Sequence, residues 1–364
     1  MRGIRISIAI IVSFLIFSGI VMIYSSSGIY AMQELGDSLY FLKRHLLFLL
    51  IGLVMTLIVM AIDYRDLQKF AKPMMLMGLA MLVLVLVPGL GKTSFGAQRW
   101  FKIGPFFIQP SEFVKIAVLI YTADFLARKQ NRILSFWYGF VPIMTVLGAV
   151  SVLIIKQPDL GSTVLIGLVV VVMIFIAGAR MRHLGTLMLM ALPAFYLFVY
   201  RVPYRWRRII TFLDPWKDPS DAGFQLTQSQ IAFGNGGIFG VGLGQSVQKL
   251  FYLPAAHTDF VLSIVGEELG FTGTLVIVLL FMLLVVQGLR IAKRANDSFG
   301  YFLCIGVITM IGIQASLNIG VSTGALPTKG LPLPFISYGG SALITSMIMI
   351  GLLLNVSRTS ELEN

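Results

Sequence analysis

Four stretches of this chain put ionisable side chains where an apolar sequence should have none. In HTDFVLSIVGEELG, His257 to Gly270, Asp259 opens a hydrophobic segment and the adjacent Glu267 and Glu268 follow inside it. In QPSEFVK, Gln109 to Lys115, Pro110 and Ser111 start a helix, and Glu112 and Lys115 come three residues apart. GAQRWFKIG, Gly96 to Gly104, sets Arg99 and Lys102 around Trp100, and GALPTKGLPLPFISYGGS, Gly324 to Ser341, holds Lys329 among prolines and glycines. A charge at the centre of a membrane helix costs roughly 3 kcal/mol or more, so such residues mark interior sites, pairs or pathways.

Each stretch has a plain reading and a chemical one. The i, i+3 spacing puts Glu112 and Lys115 on one helix face, as a self-neutralising pair or as the lining of a polar cavity open to the outside. From Asp259 the same face continues through Ser263, Gly266 and Gly270, a small stripe that lines a groove or admits another helix closely. Glu267 lies a quarter turn away and Glu268 nearly opposite, so the three acids cannot serve one site. Asp259, at the mouth of its helix, is a cap or a catalytic carboxylate that water and substrate reach. The deeper glutamates are expected to tie neighbouring helices together. Arg99 and Lys102 read first as interfacial anchors. The broken backbone of 324–341 needs protein or a wet cavity to satisfy it.

The elements that position these residues follow from composition. Of 364 residues, 57% are hydrophobic and 12% charged, against roughly 25% charged in a soluble domain, which makes the chain an integral membrane protein. Its first apolar stretch, Ile6 to Tyr24, follows Arg2 and Arg5, lacks a cleavage site and reads as a retained helix. Apolar windows predict an all-α membrane protein of ten transmembrane helices, centred near residues 15, 54, 80, 119, 146, 170, 192, 273, 310 and 347. The expectation is one polytopic domain, 1–364, with a long structured extracellular loop at about 201–257 between helices 7 and 8. In that loop Arg201, Arg205 and Arg208 share a face opposite Trp206, Ile209, Ile210 and Leu213, as in a short interfacial helix ended by Asp214-Pro215. Phe224 to Phe233 reads as a second helix, stopped by glycines.

Ten spans put both termini on one side. The loops there, with Arg65, Lys69, Lys72, Arg128, Lys129, Arg132, Arg180 and Arg182 among them, hold about twice the basic residues of the short loops opposite, so both termini are expected in the cytoplasm. All four polar stretches then face outward.

Other signals are decoys. The net charge of +12 resembles that of a nucleic-acid binder, but its residues sit in short loops beside apolar spans, where anionic lipids and the positive-inside bias account for them. No nucleic-acid partner is expected. GLGKTS, Gly89 to Ser94, ends like a phosphate-binding loop, yet the required first glycine would be Leu86. The glycine run Gly234 to Ser246 has no βαβ unit around it and reads as a tight loop. His45, His183 and His257 have no ligand spacing, and the lone Cys304 permits no intrachain disulfide. A divalent cation held by oxygen ligands stays open, because such sites have no tight signature.

The strings PSEFVK, QPDLGS (Gln157 to Ser162), RRIITFLDPW (Arg207 to Trp216), GGIFGVGLGQSVQKLFYLPAAHTDF (Gly236 to Phe260), GEELG and LPFISYGGS (Leu333 to Ser341) occur here in the order in which they occur in the SEDS family. The chain resembles that family, the FtsW and RodA type of peptidoglycan polymerase, over nearly its whole length. The resemblance implies a ten-helix glycosyltransferase that polymerises lipid II at the outer face of the bacterial cytoplasmic membrane. It implies Asp259 as the catalytic carboxylate and general base, with Glu112, Lys115, Arg99 and Lys329 as substrate-side residues. Arg205 and Arg208 join the basic groups available to a leaving pyrophosphate. A divalent cation, Mg or Mn, is compatible with that chemistry, and Asp259 would be a candidate ligand. LPTKG and GEELG lean toward the division branch, while Ala255 stands where many division members carry an acid. The implied partners are lipid II, the nascent glycan strand, membrane lipids and a class B penicillin-binding protein that supplies crosslinking. The rival functions are a lipid II flippase without polymerase chemistry, a scaffold without chemistry, and a transferase acting on another lipid-linked sugar.

Overall fold

The computed structural model describes residues 1–94, 97–104, 106–129, 133–219, 221, 223–250 and 252–362. Gly96, Arg132 and Phe251, which belong to stretches named above, lie outside the described residues.

Every predicted span centre falls in a helix. In chain order the spans are α1 (Arg2–Leu35), α2 (Tyr40–Ala61), α4 (Ala71–Leu84), α5 (Pro110–Arg128), α6 (Val141–Lys156), α7 (Leu160–Ile176), α8 (Met181–Phe195), α11 (Val261–Ala292), α12 (Ser298–Ser322) and α13 (Gly340–Leu362). Short α3 (Tyr64–Lys69) joins α2 to α4, and α9 (Pro203–Leu213) and α10 (Phe224–Gly236) form in the segment ahead of α11. Among the described residues, seven helices are long and apolar enough to cross a membrane, with π-helical turns at Phe136–Phe140 and Tyr196–Tyr200 extending α6 and α8. α4 and α7 are shorter, and α5 carries Glu112, Lys115, Asp124 and Arg128.

Local chemistry sets the helix ends. Asp159 caps α7 by accepting from the Ser162 N–H at 3.0 Å, and Asp297 caps α12 through Gly300 N–H at 2.7 Å. Pro110 occupies the first turn of α5, where a missing N–H costs nothing. Asp214 ends α9 as expected, but Arg201 lies ahead of that helix, which begins at Pro203. α10 runs past Phe233 to Gly236, because the bare Cα of Gly236 packs against the Gly266 carbonyl of α11 where a Cβ would clash.

α5, α12 and α13 are the most enclosed of the helices, with α12 against α5, α7, α11 and α13. α8 stands apart: among the described residues its contacts beyond its own π-helical continuation are scattered, with His183 packed against Phe136 and Phe140, while Met188, Leu189, Met190 and Leu192 are exposed. Between α4 and α5 the chain departs from the all-helical expectation and forms a small antiparallel sheet of β1 (Gly91–Ser94), β2 (Ala97–Ile103) and β3 (Phe106–Ile108), with Phe101 opposite both Gly91 and Ile108. Arg5 and Glu361 form an ion pair, so both ends of the chain meet on one face of the bundle.

α11 is two helices in line. Gly270, at φ 67° and ψ −163°, interrupts it in a conformation that only glycine adopts freely. The segment after α10 docks into the break: Val241 and Gly242 donate to the Glu267 and Glu268 carbonyls, and Phe271 and Thr272 donate to Gly237 and Ile238. The glutamate side chains clamp the same segment. Glu267 accepts from the Ser246 hydroxyl, the Gln248 N–H at 3.2 Å and Asn235 Nδ2 at 3.2 Å. Glu268 accepts from Lys249 Nζ at 2.8 Å and Ser25 Oγ of α1 at 2.6 Å. Both are therefore the deep ties between neighbours that their position predicts.

Candidate active site

At the end of the bundle opposite the termini lies a cavity of about 1470 Å³. Asp259, Arg99, Arg205, Arg208 and Lys329 all line it, although they come from four separate segments of the chain. Strand β2 carries Arg99, α9 carries Arg205 and Arg208, the irregular stretch before α13 carries Lys329, and a turn just ahead of α11 carries Asp259.

That turn closes on Ala255, whose carbonyl accepts from the Thr258 N–H at 3.0 Å and the Asp259 N–H at 3.2 Å. Ala255 has φ +57°, a left-handed conformation that costs a side-chain-bearing residue about 1 kcal/mol. His257 is held in an aromatic cluster, its ring 4.6 Å from Phe41 and 5.9 Å from Tyr30, while the Tyr338 N–H donates to its carbonyl at 2.9 Å. Burial pulls the His257 imidazole down to about 4, so it is neutral at physiological pH and anchors the turn as an aromatic.

Asp259 is half-buried. Burial pushes its carboxyl up to about 6; Arg208 and Arg99 work against that shift and Asp159 works with it. Arg99 is aimed by the turn before α7, donating through Nε to the Gln157 carbonyl at 2.7 Å and through Nη2 to that of Pro158. Arg208 stacks over Tyr204, with its guanidinium 4.5 Å from the ring centre, and donates to the Thr328 carbonyl at 3.3 Å. Arg205 donates to the Phe198 carbonyl at 2.7 Å. Lys329 has no carboxylate partner among the described residues, and burial lowers its pKa. Away from these groups the wall is apolar, with Ile155, Val164, Phe195, Phe198 and Val199.

Glu112 and Lys115 do not reach this cavity. They pair at 2.6 Å within the bundle, both buried, with Lys115 also donating to Gln314 at 3.1 Å and Thr345 donating to Glu112 at 3.2 Å. Of the two readings left open for them, the structure has the neutralised pair. The small stripe of α11 likewise serves helix approach: Ser263 Oγ lies 2.6 Å from Ser229 Oγ of α10, and Phe233 covers Gly266.

Two lining residues had no role assigned from sequence. Asp159, within QPDLGS, faces the cavity while capping α7, and Arg44 approaches it from α2 over the Tyr40 ring. Among the described residues no group of three or more His, Cys, Asp or Glu could hold a metal. Asp159 accepts from Ser162 Oγ at 2.8 Å and from its N–H at 3.0 Å, and no step below passes through a metal ion.

A polar floor with one raised-pKa carboxylate, several fixed cations and an apolar flank suits an amphiphile whose anionic group departs during reaction. A family model described as "Cell cycle protein", covering FtsW, RodA and SpoVE, matches residues 5–362. The chain is 48% identical over 339 residues to a probable peptidoglycan glycosyltransferase FtsW of Geobacter sulfurreducens, covering 93% of this chain and 91% of that one. It is 47% identical to stage V sporulation protein E of Bacillus subtilis, covering 97% and 96%. Among solved structures it resembles a chain of a peptidoglycan synthase complex coordinating polymerization and crosslinking, at TM-score 0.79 and 29% identity over 99% of this chain and 98% of that one. It also resembles the rod shape determining protein RodA of Thermus thermophilus, at TM-score 0.72 and 28% identity over 96% and 95%. Matched along nearly all its length by that model and by relatives of this similarity, the chain belongs to the FtsW, RodA and SpoVE family of cell cycle proteins.

Proposed function

We propose that this multi-pass protein of the bacterial cytoplasmic membrane is a peptidoglycan glycosyltransferase that polymerises lipid II, with Asp259 as general base. The observation that carries the reading is one cavity shared by Asp259 and the cations Arg99, Arg205, Arg208 and Lys329. The 4-hydroxyl of one sugar gives its proton to Asp259 as its oxygen attacks the anomeric carbon of another. The bond from that carbon to the lipid pyrophosphate breaks, the pyrophosphate leaves with the electron pair, and the centre inverts from α to β. The arginines and Lys329 stabilise the charge that gathers on the pyrophosphate, and the apolar flank takes the start of the polyprenyl chain. The pyrophosphate bond supplies the driving force, so no soluble nucleotide is needed.

The charge bias of the loops supports placing both termini in the cytoplasm and the cavity outside, with the segment 201–257 over it. Crosslinking belongs to a partner, a class B penicillin-binding protein, in keeping with the complex reported for the similar structure.

The test is polymerisation of purified lipid II. Asp259→Ala and Asp259→Asn should lower the rate by about 10²-fold or more while lipid II still binds. Arg208→Ala should cost about 10²-fold through the leaving group. Undiminished glycan synthesis by the Asp259 variants would refute the assignment and favour the flippase, which needs no base.

A further inference from the structure

We infer that Asn318 and Gln314 are positioning residues that hold Asp259 and the Lys329 loop in one frame, and that Glu112 and Lys115 influence the reaction through Gln314 rather than by touching substrate. The inference rests on the reading of Asp259 as the base.

Asn318 and Gln314 lie one turn apart on α12 and are buried. Asn318 Nδ2 donates to the carbonyl of Asp259 at 2.8 Å and to that of Leu331 at 2.8 Å, so one amide joins the segment bearing the base to the segment bearing the cation. Carbonyls only accept, which forces the amide nitrogen toward them. The Asn318 oxygen is buried without a partner among the described residues, a cost tolerated for the sake of the donors.

Gln314 repeats the arrangement four residues earlier. Its Nε2 donates to the Pro332 carbonyl at 2.9 Å, and its Oε1 accepts from Lys115. From Thr345 of α13 an unbroken chain therefore runs through Glu112, Lys115 and Gln314 to residues 331 and 332, and through Asn318 to Asp259. Within this frame Gly330 sits against the carboxylate: a Cβ there would lie 3.2 Å from Asp259 Oδ2 and touch little else. A displacement of 1 Å in a reacting group costs roughly 10²-fold in rate, so a frame of this kind should appear in turnover before it appears in binding.

The experiment measures kcat and KM for lipid II, with melting temperature, on the purified full chain carrying Asn318→Leu, Gln314→Leu or Gly330→Ala. Each should lower kcat by about tenfold or more while KM stays within about threefold, the signature of a lost transition-state geometry. Gly330→Ala should do so at the parent's melting temperature, and it decides the matter alone should Asn318→Leu fail to fold. In the Gln314→Leu background, Lys115→Met should add little further loss in kcat. Parental kcat in Gly330→Ala and in a folded Asn318→Leu overturns the frame, and a full additive loss from Lys115→Met overturns the indirect route. Full activity of Asp259→Asn would instead sink the base assignment, a separate result read in the same assay.

Discussion

Asp259 is held between burial, which favours its neutral form, and two arginines that favour its charge. A base must be unprotonated, so with a pKa of about 6 the polymerisation rate should climb about tenfold per pH unit below 6 and level off above about 7. The same shift has a stability consequence of fixed sign. The folded value lies above the ordinary 3.8, so the folded chain holds this proton more tightly than the unfolded one. The cost of the ionised carboxylate is absent below pH 3.8, grows between 3.8 and about 6, and is complete above that. Asp259→Asn should therefore melt higher than the parent at pH 8 and equally at pH 3.5, while polymerising about 10²-fold or more slowly. Asp259, Arg99 and Lys329 could be singled out in the sequence because charge is rare in such a stretch, Arg205 and Arg208 as one face of a short interfacial helix, and their roles through the family resemblance. Asp159 could not, because a carboxylate ahead of Leu160 and Ser162 looks like a helix cap and is one; only the tertiary fold turns it toward the same cavity.

At the scale of elements, the break in α11 is held shut by buried charge. Glu268→Gln would leave Lys249 unpaired among α1 and the Gly-rich segment, at a cost of about 3 kcal/mol, and the double variant Glu268→Gln with Lys249→Met should recover most of it. Thermal unfolding in detergent reads both. Helix positions were legible because long apolar runs depend on nothing but their own composition. The sheet was not, since β1 and β2 are short, carry Lys92, Arg99 and Lys102, and exist through pairing across the chain. Nor was the interruption at Gly270 visible, because GEELG reads as continuous helix until residues 237–242 are seen lying in the gap.

Across the whole molecule, the site and the joined termini occupy opposite ends. Cys304 is buried, so introduced cysteines can report sidedness. Ile103→Cys, exposed on the sheet, should react with an impermeant maleimide in intact spheroplasts, and Lys69→Cys only after lysis; the reverse pattern would place the cavity in the cytosol. The isolation of α8 bears on the same geometry. α8 and its continuation supply Phe195, Phe198 and Val199 to the cavity, yet among the described residues α8 makes only scattered contacts with other helices. In a bilayer that exposed apolar side would lie against acyl chains, so the surrounding membrane would help to hold this wall of the cavity. Turnover should then vary with the acyl-chain length of the lipids in reconstituted vesicles.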